Sequence, residues 1–98
     1  MVAAGELILR FAKGGQRRFL EDPMVNSAIE RQFEVFGEAA RRLSPAFRDA
    51  HPEVPWRTII AFRNTLIHGY DAVVPEKVWD VIGKALTPTL EVLRPLLK

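Results

Sequence analysis

The sequence predicts an all-α fold: a small four-helix up-and-down bundle with a short first helix and a last helix kinked at Pro88. Three observations predict it. Apolar residues recur at three- and four-residue spacing along the chain, and no alternating strand pattern of useful length interrupts them. Proline marks the helix starts, at Pro23, Pro45, Pro55 and Pro75, because a first helical residue has no use for its N–H. The chain has no internal repeat, no low-complexity tract and no plausible linker to divide it. Residues 1–98 are expected to form one helical domain.

The first helix is expected over residues 2–13, where "KGG" at 13–15 stops it. "QRRFLED" is expected to make a short helical turn. Asp22 is suited to cap the second helix and Pro23 to open it. That helix runs to about Leu43. Val25, Ile29, Phe36, Ala39 and Leu43 form its apolar stripe, widened by Phe33 and Ala40. Glu34 and Glu38 lie one turn apart, and Arg41 and Arg42 both lie one turn beyond Glu38, which suits surface pairing. Residues 44–56 are a connection. Ser44 and Pro45 fit the cap and first position of a short helical turn, and Pro52 disfavours helix at His51. The third helix is expected from Pro55 to about His68. "GYDAVV" is a loop, and Pro75 opens the fourth helix. Pro88 should kink that helix because a backbone donor is lost there, and Pro95 is placed to end it early.

Composition bounds the function. A chain of 98 residues builds a modest core, so a second copy or another partner would add stability. There is no cysteine, which excludes disulfides and thiolate metal sites and suits a reducing cytoplasm, the expected location. No segment reaches the length of a membrane span. The opening "MVAAGELILRF" carries Glu6 inside its apolar patch and no basic lead, which argues against a signal peptide. Net charge is only +2, too little by itself to declare a nucleic-acid binder, although ten of the fourteen basic residues are the phosphate-suited arginine. The two histidines are seventeen residues apart with no helical pair between them, and no phosphate-binding glycine pattern occurs. No metal or cofactor is expected.

The third helix carries the chemistry. At about 100° per residue, Trp56, Ile59, Ile60, Leu66 and Ile67 all lie within about 60° of Arg63. A guanidinium amid an apolar arc must be paired or must face a polar cleft. Asn64 and His68 lie one turn apart on a neighbouring face, and Arg63, Asn64 and His68 together span about 140°. The residues alone admit plain structural roles. Arg63 can snorkel past the core or pair with Glu34 or Glu38, His68 can serve the helix dipole, and Tyr70 can pack over the bundle end.

"RNTLIHGY", residues 63–70, also resembles the Arg–four residues–His–any–Tyr signature of HEPN-domain ribonuclease toxins of the HepT type. A second stretch, "GEAARRLSPAFRDAHPEVPWRTI" at 37–59, is similar to that family's middle section. The likeness covers residues 24–97, and the first helix is expected to be short beside the family's. The resemblance implies a HEPN-like bundle that forms a homodimer with the motif helices facing. It implies metal-independent RNA cleavage at the dimer cleft, with Arg63 and His68 catalytic and Asn64 a supporting polar residue. It implies a cognate antitoxin as well, a minimal nucleotidyltransferase that adds AMP to Tyr70. A metal-free RNA nuclease needs a proton acceptor, a proton donor and fixed positive charge on the phosphate. Imidazole and guanidinium supply these, whereas His51 is expected at the surface. Two rival readings share the residues: a non-catalytic substrate- or nucleotide-binding subunit beside a small nucleotidyltransferase, and a plain dimerisation module.

Overall fold

The computed structural model describes residues 1–69 and 73–96. The first helix, α1 (Val2–Phe11), tightens into a 3₁₀ turn over Ala12–Gly14. Gly15 then takes φ = 89°, a left-handed conformation that glycine adopts without strain. This reversal starts α2 (Gly15–Glu21), so the expected single helix to residue 13 ends two residues early.

Asp22 caps α3 (Pro23–Arg42) as its position predicts: the Met24 N–H donates to Asp22 Oδ1 at 2.9 Å. Ser44 does the same for α4 (Pro45–Ala50), accepting from the Phe47 N–H at 3.1 Å. The next helix is α5 (Trp56–His68). Its first residue is an anchor, since the Trp56 indole N–H donates to the carbonyls of Arg48 at 3.1 Å and His51 at 2.9 Å. Each of those carbonyls also accepts a backbone N–H, from His51 and Val54 respectively, so the indole adds a second donor to both. One side chain thereby fixes the end of α4 against the start of α5.

The last arm joins α6 (Pro75–Val81) to α7 (Thr87–Leu96) through a wider π turn over Ile82–Leu86. Pro88 is the cause. It donates no hydrogen bond, and its ring crowds the carbonyl four residues earlier. The irregularity expected at Pro88 is therefore absorbed in the turn before it, where the Thr87 Oγ1 and backbone N–H both donate to the Ile82 carbonyl. Pro95 lies one residue before the described end of α7.

The helix α3 is central and packs against both α1 and α5, while α7 closes on α1. Its buried residues are Ile29, Phe33, Phe36, Gly37 and Ala40. Phe33 and Ala40 thus belong to the centre of the stripe, whereas Val25, Ala39 and Leu43 are only half-buried. Two covering helices shift the buried face toward the line between them. Phe33 meets Phe62 of α5 edge-to-face with centroids 5.1 Å apart, and buried Phe19 of α2 meets Trp79 of α6 at 5.4 Å. The buried Thr89 hydroxyl donates to the Ala85 carbonyl at 2.6 Å, so it carries no unmet polar cost. No helix among the described residues is long and apolar enough to cross a membrane.

Candidate functional site

Arg63 leaves α5 where α3 passes closest to it. A Cβ on Gly37 would meet Arg63 Cγ at 2.9 Å and the Ile59 carbonyl oxygen at 3.3 Å. The missing side chain at Gly37 is what makes room for the arginine stem. Of the apolar neighbours on α5, Trp56, Ile59 and Leu66 are buried, Ile60 is half-buried and Ile67 is exposed. Arg63 therefore stands at the edge of the buried arc, not in its middle. Its side chain is 19% exposed, with the stem covered and the guanidinium opening into a groove between α3 and α5. Glu34, Glu38, Arg42 and Ile67 are among that groove's walls.

Two partners hold the guanidinium. Its Nη1 donates to Asn64 Oδ1 at 2.8 Å, and its Nη2 lies 3.1 Å from Glu38 Oε2. Its Nε is shielded from solvent without a protein partner. Of the two carboxylates weighed from sequence, Glu38 is the one that reaches Arg63; Glu34 instead lies 3.7 Å from Arg31. Glu38 also takes hydrogen bonds from Arg41 at 2.6 and 3.0 Å and from Arg42 at 3.0 Å. Three arginines on one carboxylate leave the cluster positive. The Arg41 hydrogen bonds lead in holding the Glu38 carboxyl down to about 2; burial opposes them, and Arg42 and the charge of Arg63 assist.

His68 is the last residue of α5, and its side chain is exposed. Among the described residues, the structure links Arg63 to Asn64 and Glu38 but gives no hydrogen bond or ion pair between Arg63 and His68. Asn64, which bonds the guanidinium, lies one turn before His68 on the same face of α5. Tyr70 lies outside the described residues. His51 is less of a surface residue than expected. Its ring packs against Phe47 at a tilt, with centroids 4.8 Å apart, its Nδ1 lies 3.4 Å from Glu53, and its side chain is 22% exposed. Among the described residues, no group of three or more His, Asp or Glu side chains converges as a metal site would require.

The family profile described as Ribonuclease HepT-like matches residues 1–96. The chain belongs to the HepT-like family. Among its relatives, "Putative RNase TTE0752" of Caldanaerobacter subterraneus subsp. tengcongensis is 40% identical over 73 residues, covering 74% of this chain and 64% of that protein. "Probable ribonuclease HepT" of Thermococcus cleftensis is 36% identical over 73 residues, covering 74% of this chain and 66% of that protein. The match thus spans just under two thirds of these curated relatives. No solved structure matches the chain.

Two features of this HepT-like site are only faintly legible in its sequence. One is Gly37, whose signal is a glycine in mid-helix, where it costs about 1 kcal/mol relative to alanine. The other is the choice of Glu38 over Glu34, which depends on how α3 and α5 cross. Chemically, the HepT-like chain presents a guanidinium held by Asn64 and Glu38, a group suited to phosphate oxygens, and an exposed imidazole one turn beyond Asn64.

Proposed function

We propose that this HepT-like protein is the toxin of a toxin–antitoxin pair, a metal-independent endoribonuclease that acts as a homodimer on cytoplasmic RNA. The observation that carries the reading is the Arg63 guanidinium, steadied by Glu38 and Asn64 at the mouth of a groove, with exposed His68 one turn beyond Asn64, in a chain of this family.

RNA brings its own nucleophile. One His68 takes the 2′-hydroxyl proton as that oxygen attacks the adjacent phosphorus. The bond from phosphorus to the 5′-oxygen breaks, and a protonated His68 of the second subunit gives its proton to the departing oxygen. A 2′,3′-cyclic phosphate and a 5′-hydroxyl result. Arg63 stabilises the charge that grows on the phosphate oxygens. Each subunit has only one suitable histidine, so the reaction requires two copies.

In this reading a minimal nucleotidyltransferase antitoxin silences the toxin by AMPylation of Tyr70. The tyrosine oxygen attacks the α-phosphorus of ATP and pyrophosphate leaves. The added phosphodiester then repels RNA from the groove.

The test is cleavage of RNA by the purified protein in EDTA, with Arg63→Ala and His68→Ala as controls. Folded wild-type protein that leaves RNA intact sinks the nuclease reading. Mixed dimers of the two variants report how the subunits share the cleft, and mass spectrometry after incubation with the antitoxin and ATP reports AMP on Tyr70. The pre-formed ion pair of Arg63 with Glu38 favours a second reading, a non-catalytic nucleotide-binding subunit beside a nucleotidyltransferase. That reading predicts phosphate-dependent binding with no cleavage in the same assay.

A further inference from the structure

On the helical wheel of α5, Arg57, Asn64 and His68 fall within about 40° of one another, a stripe distinct from the direction of Arg63. The N-terminal part of this stripe borders a second groove, between α4 and α5, whose walls include Arg48, Asp49, Arg57, Ile60 and Asn64. Asn64 therefore connects the two grooves: it walls this one and holds the Arg63 guanidinium that walls the other.

Arg57 is exposed and Arg48 half-buried, with its Nε shielded and unpartnered. None of the ion pairs among the described residues uses Arg48, Arg57 or Asp49. Arg17, Arg18, Arg31, Arg41, Arg42, Arg63 and Arg94 are each paired with a carboxylate, and Arg10, on α1, is the other arginine outside those pairs. Two unpaired guanidiniums facing one carboxylate leave the second groove positive. Its wall is also firm, since the Trp56 indole bonds the Arg48 carbonyl and so fixes the helix that carries Arg48.

We propose that Arg57 and Arg48 form a second phosphodiester-binding position, which takes a backbone phosphate of the single-stranded RNA acted on at Arg63 and His68. The inference rests on the ribonuclease reading. Its role is to set the strand's register along α5, because phosphate contacts position a nucleic acid without reading its sequence.

The probe is a non-cleavable 2′-O-methyl RNA oligonucleotide, with its dissociation constant measured over a range of KCl concentrations. Arg57→Gln should weaken binding by about threefold to tenfold and make the logarithmic salt slope shallower by about 0.7, the value of one lost contact on a single strand. Asp49→Asn should tighten binding. Arg17→Gln, the same charge change on α2, should match the wild type. Arg48→Gln should act like Arg57→Gln where circular dichroism shows it folded; if it is unfolded, the exposed Arg57 and Asp49 variants decide the matter. If wild-type protein cleaves RNA and Arg57→Gln binds like Arg17→Gln, the second position is refuted and the nuclease reading stands. Wild-type protein that neither cleaves RNA nor holds the oligonucleotide refutes both.

Discussion

Glu38 Oε2 lies 3.1 Å from Arg63 Nη2, so the guanidinium proposed to hold the scissile phosphate already rests on a carboxylate. A carboxylate presents two oxygens to the arginine fork much as a phosphate does. Glu38 thus both orients Arg63 and competes for it. Replacing it with Gln removes the competing charge and loosens the orientation. Glu38→Gln should tighten binding of non-cleavable RNA by about threefold to tenfold. It should also lower kcat by about tenfold, because a reacting group held less firmly loses rate. Binding isotherms and single-turnover cleavage separate the two effects. A variant with unchanged affinity and unchanged kcat would refute the coupling.

The same cluster sets an acid limit on stability. Glu38 has its carboxyl held near 2, below its ordinary 4.5. A depressed carboxylate contributes stability that is full above its unfolded value and disappears as pH falls through its folded value. Wild-type protein should therefore be more stable than Glu38→Gln above pH 4.5, and the gap should close as pH falls from 4.5 to about 2. Thermal melts of both proteins across that window check the sign. The Glu6 carboxyl is also lowered, chiefly by its hydrogen bond from Arg94 at 2.7 Å, and contributes in the same direction.

Arg63→Lys keeps the charge and loses the fork. Lysine offers a point charge on a flexible stem and cannot bond Asn64 and Glu38 in the same planar geometry. The variant should fold, melt close to the wild type and cleave RNA about a hundredfold more slowly or worse. Near-normal cleavage would remove Arg63's geometry from the mechanism.

Gly37→Ala and Gly83→Ala should move stability in opposite directions. Alanine at Gly37 gains helix propensity but drives a methyl into Arg63 and the Ile59 carbonyl, and overpacking typically costs about 1–3 kcal/mol. It should lower the midpoint of urea denaturation and cut RNA cleavage, because Arg63 must shift. A Cβ on Gly83 has open space around it, so alanine there should stabilise by about 0.4–1 kcal/mol and leave cleavage unchanged.

Trp56→Phe deletes one N–H that serves two carbonyls, those of Arg48 and His51. Both carbonyls keep a backbone donor, the His51 and Val54 N–H groups, so the change costs only the net worth of the lost indole bond, about 0.5–1.5 kcal/mol. Chemical denaturation should show that loss. Hydrogen exchange should show faster opening of α4 than of α3, since α4 is short and loses its tether to α5.

The caps, the proline starts at Pro23, Pro45 and Pro75 and the helical period were legible in the chain because each is a local property, whereas Pro55, expected to open α5, stands just before it as its cap. Asp22 accepts from an N–H two residues away, and Ser44 from one three residues away. The oddity of Arg63 was legible too, as a charge set against an apolar arc. Its position at the edge of that arc was not, because the wheel of one helix does not say which side a neighbouring helix will cover. Nor was the shift of the α3 core toward Phe33, Gly37 and Ala40, which follows from burial against α1 on one side and α5 on the other.

By itself the sequence determined that this chain is helical, where its arms begin, that proline would disturb the last of them, and that arginine, asparagine and histidine would share the end of one helix. Short-range hydrogen bonds and backbone sterics suffice for all of that. Only the tertiary structure decided that Glu38 and not Glu34 meets Arg63, that Gly37 makes the space for it, and that Arg48 and Arg57 come to wall one groove. Those outcomes depend on how closely and at what crossing two helices pack, which the side chains of both set together and neither segment encodes alone.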